Sequence, residues 1–204
     1  MKLKPILTLL LSVLLCHGVS ACSCWPLGEI DVLQYNQAEY VFVGVAESVV
    51  IDEENMQRIV TFRIKKKYKS PRKGKRVVIQ TALQSATCGL GISQGQTWYI
   101  WAAKGQDGIY RSSLCTRSMR IPTNINDSSQ ETTYHKDITF MKSLKKVRGT
   151  TTFTYDHGKA IGKLRRGCPI GSWNYYDENG DLRLVCSYGK RGQKISCTDT
   201  SAKN

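Results

Sequence analysis

Histidine is nearly absent from this chain. Of three in 204 residues, His17 lies in the leading segment, and His135 and His157 fall in different parts of the chain. No His-Glu-x-x-His pair occurs, so the zinc-hydrolase arrangement has nothing to stand on. No Cys-x-x-Cys pair occurs either, which removes the usual signature of a redox or zinc-binding thiol pair. Nothing after the leading segment approaches the run of about 20 apolar residues that a membrane-spanning helix needs. Acidic residues are few, 16 against 30 lysines and arginines, for a net charge of +14. An enzyme is not expected, and no cofactor is implied.

The surplus of positive charge suits a polyanionic partner: a sulfated polysaccharide, an acidic envelope surface or nucleic acid. It concentrates in Arg63, Lys65, Lys66, Lys67, Lys69, Arg72, Lys73, Lys75 and Arg76, nine cations in fourteen positions straddling a predicted hairpin. Polyanion binding by Lys65, Lys66, Lys67, Lys69, Arg72, Lys73, Lys75 and Arg76 is one expectation. A solvated strand edge guarded by lysines against aggregation is the other. Nucleic acid is disfavoured, because single-strand binding needs aromatics interleaved with the charge. Only Phe62 and Tyr68 stand there, and Phe62 reads as core.

The first 21 residues have a short basic start (Lys2, Lys4), an apolar run from Ile6 to Cys16 and a small-residue ending, Val19-Ser20-Ala21. This is the plan of a secretory signal, and cleavage after Ala21 would make Cys22 the first residue of a secreted, periplasmic or envelope protein. Val19-Ser20-Ala21-Cys22 also fits, imperfectly, the site at which bacterial lipoproteins are cut and acylated, so a membrane is a partner only if Cys22 carries lipid. Loss of the signal leaves seven cysteines, which an oxidising compartment would pair as disulfides with one left over.

Along the mature chain, residues 29–38 suggest a short helix. Residues 40–51 read as a long β-branched and aromatic strand with Gly44 as a bend, and residues 56–68 alternate cleanly in polarity. Residues 76–80, 96–103 and 109–115 complete five strands, the last two joined by a hairpin turn at Gln106-Asp107-Gly108. Five strands on short connections predict a mainly β protein built on an OB-like antiparallel barrel. Ser128 and Glu131 have capping-box spacing, and Ile138, Met141, Leu144 and Lys145 follow at helical intervals. They predict a helix over 130–147 packed on the barrel, within a linker segment 123–148. Residues 149–197 change to glycine-rich aromatic segments, in which Phe153 to Lys159, Trp173 to Leu182 and Tyr188 to Gly192 look alike. They predict a small module of β-hairpin repeats. Cys168, Cys186 and Cys197 there allow one disulfide, with the pairing open. Residues 198–204 read as a loose tail.

Five motifs in order give the segment 22–122 a family likeness. Cys22-Ser23-Cys24-Trp25-Pro26, Tyr40-Val41-Phe42-Val43-Gly44, Thr61-Phe62-Arg63-Ile64 through Lys69, Ser85-Ala86-Thr87-Cys88-Gly89, and Gln106-Asp107-Gly108-Ile109-Tyr110 to Cys115 resemble the netrin-like domain of the tissue inhibitors of metalloproteinases. The resemblance implies disulfides Cys22–Cys88 and Cys24–Cys115. It also implies inhibition, in which the free amine and carbonyl oxygen of Cys22 chelate the zinc of a metalloproteinase. Ser23, Cys24, Trp25, Pro26, Ser85, Ala86 and Thr87 would be the protease contacts, Ser23 pointing into the main specificity pocket. No metal of its own is implied. The chain departs from the family in lacking a cysteine between Cys24 and Cys88 and the family's cysteine-rich second domain. Its later segments resemble instead bacterial hairpin repeats of MORN type. The alternative is that the cysteines only staple a non-inhibitory binding module for proteins or polyanions, since a shared fold does not carry function.

Overall fold

The computed structural model describes residues 22–24, 27–121 and 128–200, without the side chains of 128–131. The expected signal, the cleavage site and lipidation motif, Trp25, Pro26, the capping box and residues 201–204 lie outside these.

A short helix α1 (Val32–Gln37), N-capped by the Asp31 carboxylate on the Gln34 amide at 2.7 Å, precedes two long strands, β1 (Tyr40–Asp52) and β2 (Gln57–Lys69). Then come β3 (Arg76–Ala82), a 3₁₀ turn (Ser85–Thr87), β4 (Thr97–Lys104), and the two-residue strands β5 (Tyr110–Arg111) and β6 (Met119–Arg120). Strand order is β1-β2-β3-β5-β4, and β4 pairs back onto β1 to close a five-stranded barrel, with β6 added on the edge of β4. Closure shows in the register, where Tyr40 faces Ala102 and Val45 faces Thr97. The ladder shifts at Val43/Gly44, the expected bend.

β1 and β4 are apolar on both faces because both faces are covered. Phe42, Phe62, Ile79, Trp98 and Ile100 fill the barrel. The alternate residues Val41, Val43, Tyr99 and Trp101 point outward into a second core. Helix α2 (Ser128–Leu144) supplies Ile138, Met141 and Leu144 to that core. A five-stranded antiparallel meander, β7 (Thr150–Tyr155), β8 (Gly158–Arg165), β9 (Cys168–Asp177), β10 (Leu182–Tyr188) and β11 (Lys194–Asp199), adds Leu164, Trp173, Tyr175 and Tyr188. The Asn36 amide donates to the Tyr175 hydroxyl at 3.0 Å, tying α1 to the meander.

Some expectations need correction. The barrel is not wholly antiparallel, for β3 and β5 pair in parallel at Gln80 and Arg111. The strand expected over 109–115 stops at Arg111, because the hydroxyls of Ser112, Thr116 and Ser118 bond one another and the Trp101 backbone. Such local bonds compete with a ladder. Lys145 is exposed, beyond the end of α2. Thr198 and Asp199 belong to β11 rather than to a loose tail. In the meander, Cys186 pairs with Cys197 and Cys168 is free. Among the described residues no helix is long and apolar enough to cross a membrane.

Lys69 departs from the expected basic face in a way that bears on stability. It ends β2 fully buried, its ammonium donating to the Tyr35 carbonyl at 2.6 Å and lying 4.5 Å from the Tyr35 ring centre. Burial pushes its pKa down to about 7, against the opposing pull of Cys168 and Glu39. The folded chain thus releases this proton near pH 7, while the unfolded chain holds it to about 10.4. Between those values the unfolded state binds more protons, and stability rises with pH by up to about 1.4 kcal/mol per unit. Lys69→Met removes that rise. The stability of the variant relative to the native chain, from urea unfolding, is therefore expected to fall by about 2 kcal/mol between pH 7 and 9. A pH-independent difference would refute a deprotonating Lys69.

Candidate functional site

Cys22, Ser23 and Cys24 are held at one end of the barrel by two adjacent disulfides, Cys22–Cys88 and Cys24–Cys115, closing separations of 66 and 91 residues. These are the pairings that the family likeness implies. The four sulfurs lie within 4.8 Å of one another, with Cys22 Sγ to Cys24 Sγ at 3.6 Å and Cys88 Sγ to Cys115 Sγ at 3.4 Å. Bound as disulfides, they have no thiolate to offer a metal.

Both anchors are themselves fixed. The turn Ser85–Thr87 closes when the amides of Thr87, Cys88 and Gly89 donate to the carbonyls of Gln84, Ser85 and Gln84 at 3.1, 2.9 and 2.9 Å. Cys88 then takes a left-handed conformation (φ 61°), which turns its sulfur toward Cys22. Gly89 packs so tightly on the Ala82 carbonyl that any Cβ would collide with it. The Leu114 amide donates to the Cys88 carbonyl at 2.9 Å, so the segment carrying Cys115 is stitched to the segment carrying Cys88. The result is a ridge pinned through Cys22–Cys88, on which Ser23, Ser85, Ala86 and Thr87 are all exposed.

Behind the ridge, the chain leaving it is gripped by Arg117. That guanidinium donates to the Gly28 carbonyl at 2.9 Å, to Gln34 Oε1 at 3.1 Å and, through Nε, to Asp137 Oδ2 at 2.9 Å. Asp137 is fully buried on α2 and also accepts from the Tyr99 hydroxyl at 3.3 Å. Burial raises its carboxyl above the ordinary range, with Arg117 pulling the other way. One ion pair thus joins the exit of the ridge, α1, α2 and the barrel. Nothing in the sequence singled it out, because Arg117 and Asp137 are ordinary polar residues until the fold buries them together.

The fold divides the basic segment. Lys65, Lys66, Lys67, Arg72, Lys73, Lys75 and Arg76 are exposed on or between β2 and β3, whereas Lys69 is internal and leaves the polyanion face. Arg63 and Arg76 both bind Glu47, at 2.8 and 2.6 Å, which neutralises part of that edge. The basic hairpin lies at the Arg63/Arg76 end of the β2–β3 ladder, and the Ser85–Thr87 turn follows the Gln57/Ala82 end, so the ridge and the hairpin are distinct surfaces.

Gly91-Ile92-Ser93-Gln94-Gly95 has the Gly-x-Ser-x-Gly spacing of a nucleophile elbow. An elbow needs a strand before the serine and a helix after it. Here the segment is a loop that feeds β4, with the Ser93 amide bonded to Gln96 Oε1 at 3.0 Å. No known family model and no curated protein matches this chain.

Proposed function

We propose that this protein is an exported, non-enzymatic inhibitor of zinc metalloproteinases that acts through Cys22. The observation that carries this reading is the double disulfide clamp, which holds residues 22–24 against the exposed Ser85–Thr87 turn. Three disulfides fit an extracellular or envelope protein. A catalytic zinc keeps one coordination position open for water. With Cys22 as the first residue, its α-amine and carbonyl oxygen fill that position as a five-membered chelate and displace the water. The amine binds unprotonated, which a reference pKa of about 8 makes accessible beside a metal. Ser23 enters the specificity pocket, while Ser85, Ala86 and Thr87 make the flanking contacts, joined by Trp25 and Pro26. A chain end already ordered by two covalent links avoids much of the entropy cost of docking.

Intact mass and N-terminal sequencing of the native mature protein, followed by titration against a panel of zinc proteases, test this directly. An unmodified Cys22 amine with stoichiometric inhibition supports it. A diacylglyceryl or N-acyl group on Cys22, or no inhibition by the unmodified protein, refutes it in favour of an envelope binding module. The exposed lysines of the β2–β3 hairpin favour a second, compatible role in retention on a polyanionic surface. Salt-dependent elution from a sulfated polysaccharide matrix, lost when Lys65, Lys66 and Lys67 become glutamate, is the corresponding test.

A further inference from the structure

The barrel is closed least completely between β3 and β5. The Lys75 carbonyl accepts from the Ile64 amide at 2.7 Å, so odd-numbered residues of β3 turn their backbone groups toward β2. The Gln80 carbonyl accepts from the Ser112 amide at 3.0 Å, so even-numbered residues turn theirs toward β5. Pairing with β5 occurs at Gln80 and Arg111 alone. Among the described residues, the Val78 N–H and both backbone groups of Arg76 therefore face the seam without a hydrogen-bond partner.

A cleft of about 570 Å³ opens there, bounded by residues 76–78 on one side and by Gly108, Ile109 and Tyr110 on the other. Its volume lies in the range of ligand sites. Arg72 and Lys73 stand exposed at the end where β3 begins, and among the described residues no acidic side chain lines the cleft. Gln80 also lines it, and its Oε1 is buried with no hydrogen-bond partner. Val78, 48% exposed, presents an apolar side chain on the outer sheet face beside the open edge.

We propose that this seam is a docking edge for an extended, acidic peptide segment of a partner protein, which adds as a short strand beside residues 76–78. Backbone donors and acceptors spaced along a strand edge are matched by another strand, the mode known as β-augmentation. The incoming strand bonds the free groups of Arg76 and Val78, a donor it carries reaches Gln80 Oε1, and a β-branched residue packs beside Val78. Its carboxylates meet Arg72 and Lys73, which also discourage a second copy of this basic chain from pairing at the same edge. A polysaccharide would engage the whole cationic hairpin and has no such register with the strand edge. The proposal is independent of the chemistry at Cys22.

The test uses the full mature protein and a fluorescent, acetylated hexapeptide of two aspartates followed by alternating valine and threonine. Two controls are the same peptide N-methylated on alternate amides and one with lysines in place of the aspartates. Saturable binding of the acidic peptide is expected, with both controls at least about 10-fold weaker. The double substitution Arg72→Glu, Lys73→Glu, on a surface turn, is expected to weaken it by a similar factor with an unchanged circular dichroism spectrum. Amide exchange at Val78 should slow on binding. No saturable binding, or equal affinity of the N-methylated peptide, would overturn the proposal. So would full displacement by a sulfated oligosaccharide together with no slowing at Val78, which would assign the surface to polyanions.

Discussion

Adding a single alanine ahead of Cys22 is expected to weaken inhibition of zinc proteases by at least about 100-fold, with thermal stability unchanged. The two properties separate because they rest on different bonds. Stability at this end of the barrel comes from the side chains of Cys22 and Cys24, bonded to Cys88 and Cys115, and from the hydrogen bonds that fix those partners. An added residue leaves all of these in place. The proposed chelation depends instead on the nitrogen of Cys22 being a basic amine. In a peptide bond that nitrogen has no lone pair to donate to zinc, and the next amine lies too far from the Cys22 carbonyl to close a five-membered ring. The extra residue would also project into the space that the protease's zinc occupies. Inhibition constants and melting curves of the two forms, both verified by intact mass, decide the matter. Equal inhibition by the extended form would refute chelation while leaving the fold untouched.

Asp137→Ala is expected to cost about 3–5 kcal/mol, measured by urea unfolding, because it strands a buried cation. The Arg117 and Asp137 side chains are 5% and 0% exposed and meet at 2.8 Å. Without Asp137, the partners left to the Arg117 guanidinium among the described residues are the Gly28 carbonyl and the Gln34 amide oxygen, both uncharged. The double change Arg117→Met, Asp137→Leu should recover most of that loss, since an apolar pair of similar volume removes both desolvation penalties. A single-variant cost below about 1 kcal/mol would mean that water reaches the site and that the pair is not truly buried. The double variant has a further use. Arg117 also grips the chain just after the ridge through Gly28. A stable double variant that inhibits more weakly would show that this grip, rather than global stability, positions residues 22–24.

The parts of the molecule legible in sequence are those set by short-range pattern. Alternation along residues 56–68 and the apolar run of residues 40–46 marked the two long strands. Gly44 marked its bend, and Ile138, Met141 and Leu144 marked the inner face of α2. The clamp was accessible through a likeness of motifs, though no spacing rule alone would pair Cys22 with Cys88. Where local chemistry and pattern competed, as in the hydroxyl-rich segment after Arg111, pattern overestimated the strand.

Lys69 illustrates the other limit. In sequence it is one of nine neighbouring cations, and nothing local distinguishes it from Lys67. In the fold Lys67 reaches the exposed carbonyls of Arg72 and Gly74, while Lys69 turns in beneath the end of α1. The strand and helix pattern and the surplus of positive charge could be read along the chain, because each is a property of neighbouring residues. It took the fold to settle which cations remain outside, that Arg117 meets Asp137, and that β3 keeps an open edge beside Arg72 and Lys73. Those outcomes depend on surfaces far apart in the chain closing on one another, as where Asn36 meets Tyr175 across 139 residues. Burial, and the charge and hydrogen-bond energies that follow from it, exist only once that closure has occurred.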